Sequence, residues 1–307
     1  MSGSTVMDAE QRARMSAASV LDVPAEAIEA RLLASRPGRD VYVLEAAGER
    51  VIAKCYPDEP RTRAGGENLA RFGGDHGLLV VPRCLKIDPQ LRVVVMTRVP
   101  GLPLPVVLDG AKAAAAIARA GRAVAALHAL PVQLATALAR AELIAGASLV
   151  AVARADRAHA RTALDEAAAL LGAAPATGLV PSHGDLGPAQ ILCGERVGIV
   201  DFDRALMAEP GLDLGNLLAQ LARKRGTAGG LLFDRLIGAY ATAARPPTPV
   251  TLAPADDAAT ARSVAVGYAL LVLVRKLAWL PVEGRPPVRA AIDTLVTGSH
   301  PGRAPSG

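Results

Sequence analysis

Apolar positions along the chain change period several times, and those changes divide it into segments. From Met7 the pattern is that of an amphipathic helix, running toward a first strand near Ile28–Ala34. Ser35-Arg36-Pro37-Gly38-Arg39 reads as a turn. Asp40–Glu45 and Glu49–Tyr56 alternate apolar and polar residues on either side of Ala47-Gly48, which predicts a β-hairpin. A helix is expected over about Arg61–Phe72, with Leu69 and Phe72 on its apolar side. A second hairpin follows over Arg83–Ile87 and Leu91–Met96, around Asp88-Pro89. Beyond Pro100-Gly101 the period becomes helical: Asp109–Pro131 sets Ala113, Ile117, Ala120, Val124 and Leu127 on one face. Leu149–Gly172 is a further Ala-rich helix, and Ala173–Gly178 reads as a linker. Gln190–Cys193 and Val197–Val200 are short apolar runs turned at Gly194-Glu195, and they predict two strands. A helix starts around Glu209–Gly215, and three more are expected over roughly Leu231–Ala244, Asp257–Trp279 and Pro287–Val296, with a disordered tail from Thr297.

Composition narrows this outline. A chain of 307 residues has room for one large or two moderate domains. Apolar residues make up 51% of it and aromatics only 3%, so the core must be aliphatic and largely helical. The formal charge of +5 is dispersed, with no basic run or aromatic interleaving, which argues against a nucleic-acid partner. Cys55, Cys84 and Cys193 are odd in number and lack metal-type spacing. Each lies in an apolar, strand-like run, so buried free thiols in a reducing compartment are expected. The N-terminal stretch carries Asp8, Glu10, Arg12 and Arg14 in place of a signal peptide's apolar run. The longest uncharged apolar helical segment, Ser263–Val274, stops at Arg275-Lys276, and at that length it would not span a bilayer. The expectation is a cytoplasmic protein with no membrane partner.

Candidate chemistry concentrates between Ser182 and Arg204. Gly184 and Gly187-Pro188 interrupt any regular element, so His183–Ala189 reads as a tight loop that carries Asp185, while Asp201 ends the second of the two short strands. One carboxylate to orient a hydroxyl and another to hold a metal is what phosphoryl transfer requires, because positioning and charge neutralisation do nearly all of that chemistry.

The order His183-Gly184-Asp185, Gln190, then Val200-Asp201-Phe202-Asp203 resembles the catalytic core of the aminoglycoside phosphotransferase and choline kinase-like family. The resemblance implies an α+β, two-lobed protein kinase-like fold. Its small antiparallel-sheet lobe would span about 1–97, and its larger helical lobe, with the acceptor site, about 98–307. It also implies roles. Asp185 would be the catalytic base, and Asp201 and Gln190 would hold Mg²⁺. Lys54 would contact the inner phosphates of ATP or GTP, steadied by Glu67, although Glu45 and Glu49 are competing partners. Main-chain groups of the segment around Arg98 and Val99 would bind the base of the nucleotide, and the turn at Arg36–Arg39 would cover it. His183, Asp203 and Asp213 would support the loop, and His128, in Leu127-His128-Ala129-Leu130-Pro131, is expected to be a packing residue.

Two departures stand out: Gln190 occupies the position where the family has Asn, and Gly187 replaces a frequent second His. The implied function is a small-molecule phosphotransferase. The alternative is a nucleotide-binding module whose metal site Gln190 has weakened. Between Gly101 and Pro181 seven bases outnumber five acids, which favours a neutral or anionic acceptor over a polycationic one.

Overall fold

The computed structural model describes residues 7–146, 156–244 and 258–299. They form two compact units. One comprises the residues up to Gly101 together with Gly198–Arg204; the other comprises Leu102–Val197 and the residues from Ala205 onward.

The first unit opens with helix α1 (Ala9–Leu21), capped by Asp8, whose side chain accepts the Gln11 amide at 2.8 Å. Strands β1 (Glu29–Arg36), β2 (Arg39–Ala46) and β3 (Glu49–Cys55) follow as a meander. Helix α2 (Glu59–Phe72) begins at the Asp58 cap. A small hairpin, β4 (Gly74–His76) with β5 (Leu79–Val81), comes next, and it was absent from the sequence-based expectation. Strands β6 (Cys84–Asp88) and β7 (Val93–Thr97) complete an antiparallel sheet of order β1-β2-β3-β7-β6. Alternation along the strands sorts this sheet into two faces. Tyr42, Leu44, Ala46, Val51, Ala53, Cys55, Val93 and Val95 pack with Ala13, Ala17 and Leu21 of α1 in one core. The residues between them, Val41, Val43, Ile52, Lys54, Val94 and Met96, fall on the other face in the register Val41↔Lys54↔Val94.

The second unit is mainly helical. It begins with β8 (Leu102–Pro103), α3 (Leu104–Val107) and α4 (Ala113–His128), followed by β9 (Ala137–Leu138) and α5 (Arg140–Gly146). Helix α6 (Arg157–Ala173) leads to β10 (Val180–Ser182), the loop with Asp185 and β11 (Ile191–Cys193), after which the chain returns to the first unit within β12 (Val197–Ile199). Strand β13 (Leu206–Ala208) pairs with β10 and, in parallel, with β9. Helices α7 (Gly211–Ala243), α8 (Ala258–Trp279) and α9 (Pro286–Ser299) form the remainder.

Several expectations are corrected here. Helix α7 runs across the expected break before Leu231 and is kinked at Gly226, whose φ of 53° is left-handed. Helix α9 continues to Ser299, into the expected tail. Helix α8 keeps almost the bounds expected for it, but over its 22 residues it is long and apolar enough to cross a membrane by length and composition, against the expectation drawn from its uncharged stretch Ser263–Val274. Most of its apolar window is buried in the unit, among α6, α7 and α9. The expected helix from Leu149 lies partly outside the described residues. All three cysteines are free, but only Cys55 is buried, while Cys84 and Cys193 are half-buried. Burial pushes the Cys55 thiol up to about 11, so it remains protonated.

Two buried ion-pair groups tie the helices together. Glu209 accepts from Arg140 at 3.0 Å and from the Tyr268 hydroxyl at 2.7 Å, and Arg140 also donates to the carbonyls of Leu171, Ala174 and Pro175. Asp156, fully buried, pairs with Arg285 and Arg289 of the C-terminal segment.

Candidate active site

In the first unit, Lys54 is buried and its ammonium lies 2.5 Å from Asp201 Oδ1 and 2.6 Å from Asp203 Oδ1. Two further side chains close the group. The Tyr56 hydroxyl donates to Asp203 Oδ1 at 2.8 Å, and Arg39 pairs with Asp203 and, at 3.9 Å, with Asp201. Burial, reinforced by the Asp203 charge, pushes the Tyr56 phenol up, so it stays protonated and can donate to Asp203. Burial alone would lower the Arg39 pKa, but the charges of Asp201 and Asp203 outweigh it and raise the value.

The local sequence explains this convergence. Lys54 and Tyr56 are two residues apart along one strand line and so share a face. The β2–β3 pairing ends at Val41↔Lys54, and Arg39 and Tyr56 each lie two residues beyond that pair on their own strand lines. Asp201 itself has φ of 76°, a left-handed conformation that is uncommon for a non-glycine residue and clusters at functional sites. The sequence pointed to Lys54, Asp201 and Asp203. It showed Arg39 only as part of a turn covering the nucleotide and missed Tyr56, although the period-two register holds the signal for both.

Glu67 stands elsewhere. It is exposed, and Lys54 pairs with the two aspartates, not with Glu67. Helical geometry gives the reason. Thr62, Gly65, Gly66, Leu69 and Phe72 form the buried stripe of α2, and Glu67 projects well off it. Its neighbour Asn68 instead reaches the Phe202 carbonyl at 3.4 Å, and the Phe72 and Phe202 rings lie 4.7 Å apart. Glu45, one of the competing acids, pairs with Arg50. Arg98, exposed, and Val99, buried, directly follow β7 as an irregular segment.

In the second unit, the loop after β10 is fixed from behind by Asp213, at the start of α7. This fully buried carboxylate accepts the His183 amide at 2.7 Å, the Gly184 amide at 2.9 Å and His128 Nε2 at 3.2 Å. Burial would raise its pKa, but the hydrogen bond and charge of His128, with the contributions of His183, outweigh that and hold it below the usual carboxylate value. His128 Nδ1 is bonded to the Tyr240 hydroxyl at 3.0 Å, so the histidine is a buried link between two partners.

Gly184, at φ of 81°, takes the left-handed conformation that the turn requires, and its carbonyl accepts from Asn216. The Asp185 amide reaches His183 Nδ1 at 3.4 Å, while the half-buried Asp185 carboxylate has no hydrogen bond or ion pair among the described residues. Gln190 behaves differently from a side chain held ready for a ligand. Its Oε1 accepts the Gly187 main-chain amide at 3.1 Å, and the Gln190 main-chain amide donates to the Gly187 carbonyl at 3.0 Å, a reciprocal cap of the 188–190 turn.

Among the described residues no group of three or more His, Cys, Asp or Glu gathers as a metal cage. The donor chemistry is that of a hard cation bound through one or two carboxylates plus substrate oxygens, and Asp201 and Asp203 fit that requirement.

The sequence matches the phosphotransferase enzyme family (APH) over residues 29–255. The chain belongs to that family. Among solved structures, a thermostable mutant of the aminoglycoside phosphotransferase APH(4)-Ia, in ternary complex with ADP and hygromycin B, is similar with a TM-score of 0.67 at 12% identity, covering 92% of this chain and 97% of that one. The choline kinase of Cryptosporidium parvum Iowa II gives 0.65 at 11% identity, with 94% of each chain covered. A choline/ethanolamine kinase family protein from Mesorhizobium loti gives 0.57 at 20%, covering 88% of this chain and 93% of that one. No curated protein matches the sequence. These likenesses establish a protein kinase-like fold for this member of the phosphotransferase family, with an antiparallel sheet in its N-terminal unit and helices in its C-terminal one.

Proposed function

We propose that this phosphotransferase moves the γ-phosphoryl group of ATP or GTP to a hydroxyl of a small molecule. The observation that carries the reading is the buried Lys54 held against Asp201 and Asp203, in a chain of the phosphotransferase family. A buried ammonium with three donors is suited to nucleotide phosphates, and the aspartates hold it in place until they arrive. Mg²⁺, held by Asp201, would neutralise charge on the phosphates. The unpartnered Asp185 carboxylate would orient the acceptor hydroxyl and take its proton. Asp213 keeps Asp185 on station through the two loop amides it accepts.

A second reading, a nucleotide-binding module with weak turnover, is favoured by one observation: the Gln190 oxygen is already engaged by its own turn. The charge count that favoured a neutral or anionic acceptor over a polycationic one loses weight in the structure. Arg140 is engaged by Glu209, and Arg119 by the carbonyls of Gly194 and Glu195.

The test is a nucleotide-consumption screen against aminoglycosides, macrolides, amino alcohols and sugars, with Asp185→Asn as control. A hit whose turnover drops roughly 10²–10⁴-fold in that variant, with nucleotide affinity retained, is the expected result. Nucleotide binding without turnover on any acceptor would favour the binding module. Full turnover in Asp185→Asn would remove Asp185 from the mechanism.

A further inference from the structure

Arg39 has no part in the reading above, and its placement calls for one. It follows the Pro37-Gly38 turn of the β1–β2 hairpin, where proline fixes one φ and Gly38 takes φ of 72°, so the start of β2 is set by a tight turn. From there its guanidinium reaches the same two carboxylates that Lys54 holds, from the neighbouring strand. Both contacts are made by Nη1; Nε and Nη2 have no partner among the described residues, and the side chain is 29% exposed. A structural ion pair alone would leave those donors to water. A guanidinium fork anchored through one nitrogen, with the rest open beside a buried lysine, is the geometry that recognises phosphate.

Charge gives the same answer. Lys54 and Arg39 balance Asp201 and Asp203 one to one, so any phosphate that draws Lys54 away leaves Asp203 still held by Arg39 and by the Tyr56 hydroxyl. We propose that Arg39 is a second phosphate-contacting cation of the nucleotide site, donating to the polyphosphate through Nε and Nη2 while Nη1 remains on Asp203. This rests on the nucleotide reading above. It assigns to Arg39 discrimination between a nucleoside triphosphate and the bare nucleoside.

Calorimetric titration of the full chain with ATP, GTP, adenosine and guanosine tests it, for wild type, Arg39→Ala, Arg39→Gln and Arg39→Lys. In Arg39→Ala, Asp203 keeps Lys54 and Tyr56, so the unit should fold, and Arg39→Gln retains a neutral donor should alanine prove disruptive. Triphosphate affinity is expected to fall about 10–100-fold in Arg39→Ala and Arg39→Gln, the loss of a charge-assisted hydrogen bond, with nucleoside affinity unchanged. Arg39→Lys should recover part of it through charge without the fork. Wild-type triphosphate affinity in Arg39→Ala or Arg39→Gln, or an equal loss for the nucleoside, would overturn the inference while leaving the nucleotide reading intact. A wild-type protein that binds neither triphosphate would overturn both.

Discussion

Replacing Asp213 by alanine tests the most completely described part of the site. The carboxylate is fully buried and accepts three hydrogen bonds, from the amides of His183 and Gly184 and from His128. Removing it orphans all three donors in a dry environment. Each unsatisfied buried group costs about 1–3 kcal/mol, and water entering the space left by the side chain recovers part, so a net loss of about 3–5 kcal/mol is expected. At roughly 2–4 °C per kcal/mol for a unit of this size, melting should fall by about 10 °C. The sign of the pH dependence is fixed too. The folded pKa of Asp213 lies below its ordinary value, so its contribution is fully present above the unfolded pKa and is lost as pH falls through the folded one. The stability gap between wild type and Asp213→Ala should therefore be constant near neutrality and shrink in acid below about pH 4. Chemical denaturation across that range measures it. A loss under about 1 kcal/mol, or a gap that widens on acidification, would refute the assignment of Asp213 as the anchor of the loop.

Lys54→Ala should weaken triphosphate binding about 10–100-fold, measured by calorimetry, because a charge-assisted contact is lost. It leaves two carboxylates to Arg39 and Tyr56, and unaltered affinity and activity together would sink the lysine's role. Gln190→Asn shortens the side chain by one methylene and should release the cap on the Gly187 amide, lowering turnover, whereas Gln190→Glu keeps an acceptor at that reach and should preserve loop stability. Turnover against Mg²⁺ concentration, together with melting temperature, checks both; an Asn variant that is faster with unchanged stability would mean that Gln190 impairs a metal site after all.

Much of the fold was legible because its signals are local. The hairpins around Ala47-Gly48 and Asp88-Pro89, the helix ending at Phe72 and the loop at His183 all follow from period and punctuation within a few residues. The parts that escaped depend on distant partners. The β4–β5 strands are three residues each, too short to show alternation. Helix α7 was read as two helices, whereas in the fold one element runs from Gly211 to Ala243 across a kink at Gly226. Glu67 was placed by analogy of sequence order, and only the rotation of α2, set by its buried stripe, shows that it faces away. Arg39 and Tyr56 could have been found by extending the register from Lys54 across the hairpin, a step that requires the pairing to be known.

Gln190 shows why a substitution read from a motif differs from one read in place. By order in the sequence it is an Asn ligand made one methylene too long; in the loop, the extra length is what lets its oxygen return to the Gly187 amide. The acids of the two units separate in the same way, by what surrounds them and not by where they fall in a pattern. Asp213 is sealed among donors, which suits a fixed brace. Asp201 and Asp203 are matched by two cations, which suits a group that exchanges its partners for phosphate charge. Asp185 carries no partner on its carboxylate and is only half-buried, so no bond must be broken before it can accept a proton. Asp213 and Asp203 each have three donors, but those of Asp213 include two loop amides and those of Asp203 two cations. The kind of donor, and not the count, is what suits one to anchoring and the other to charge handling among residues that the sequence alone shows only as four aspartates.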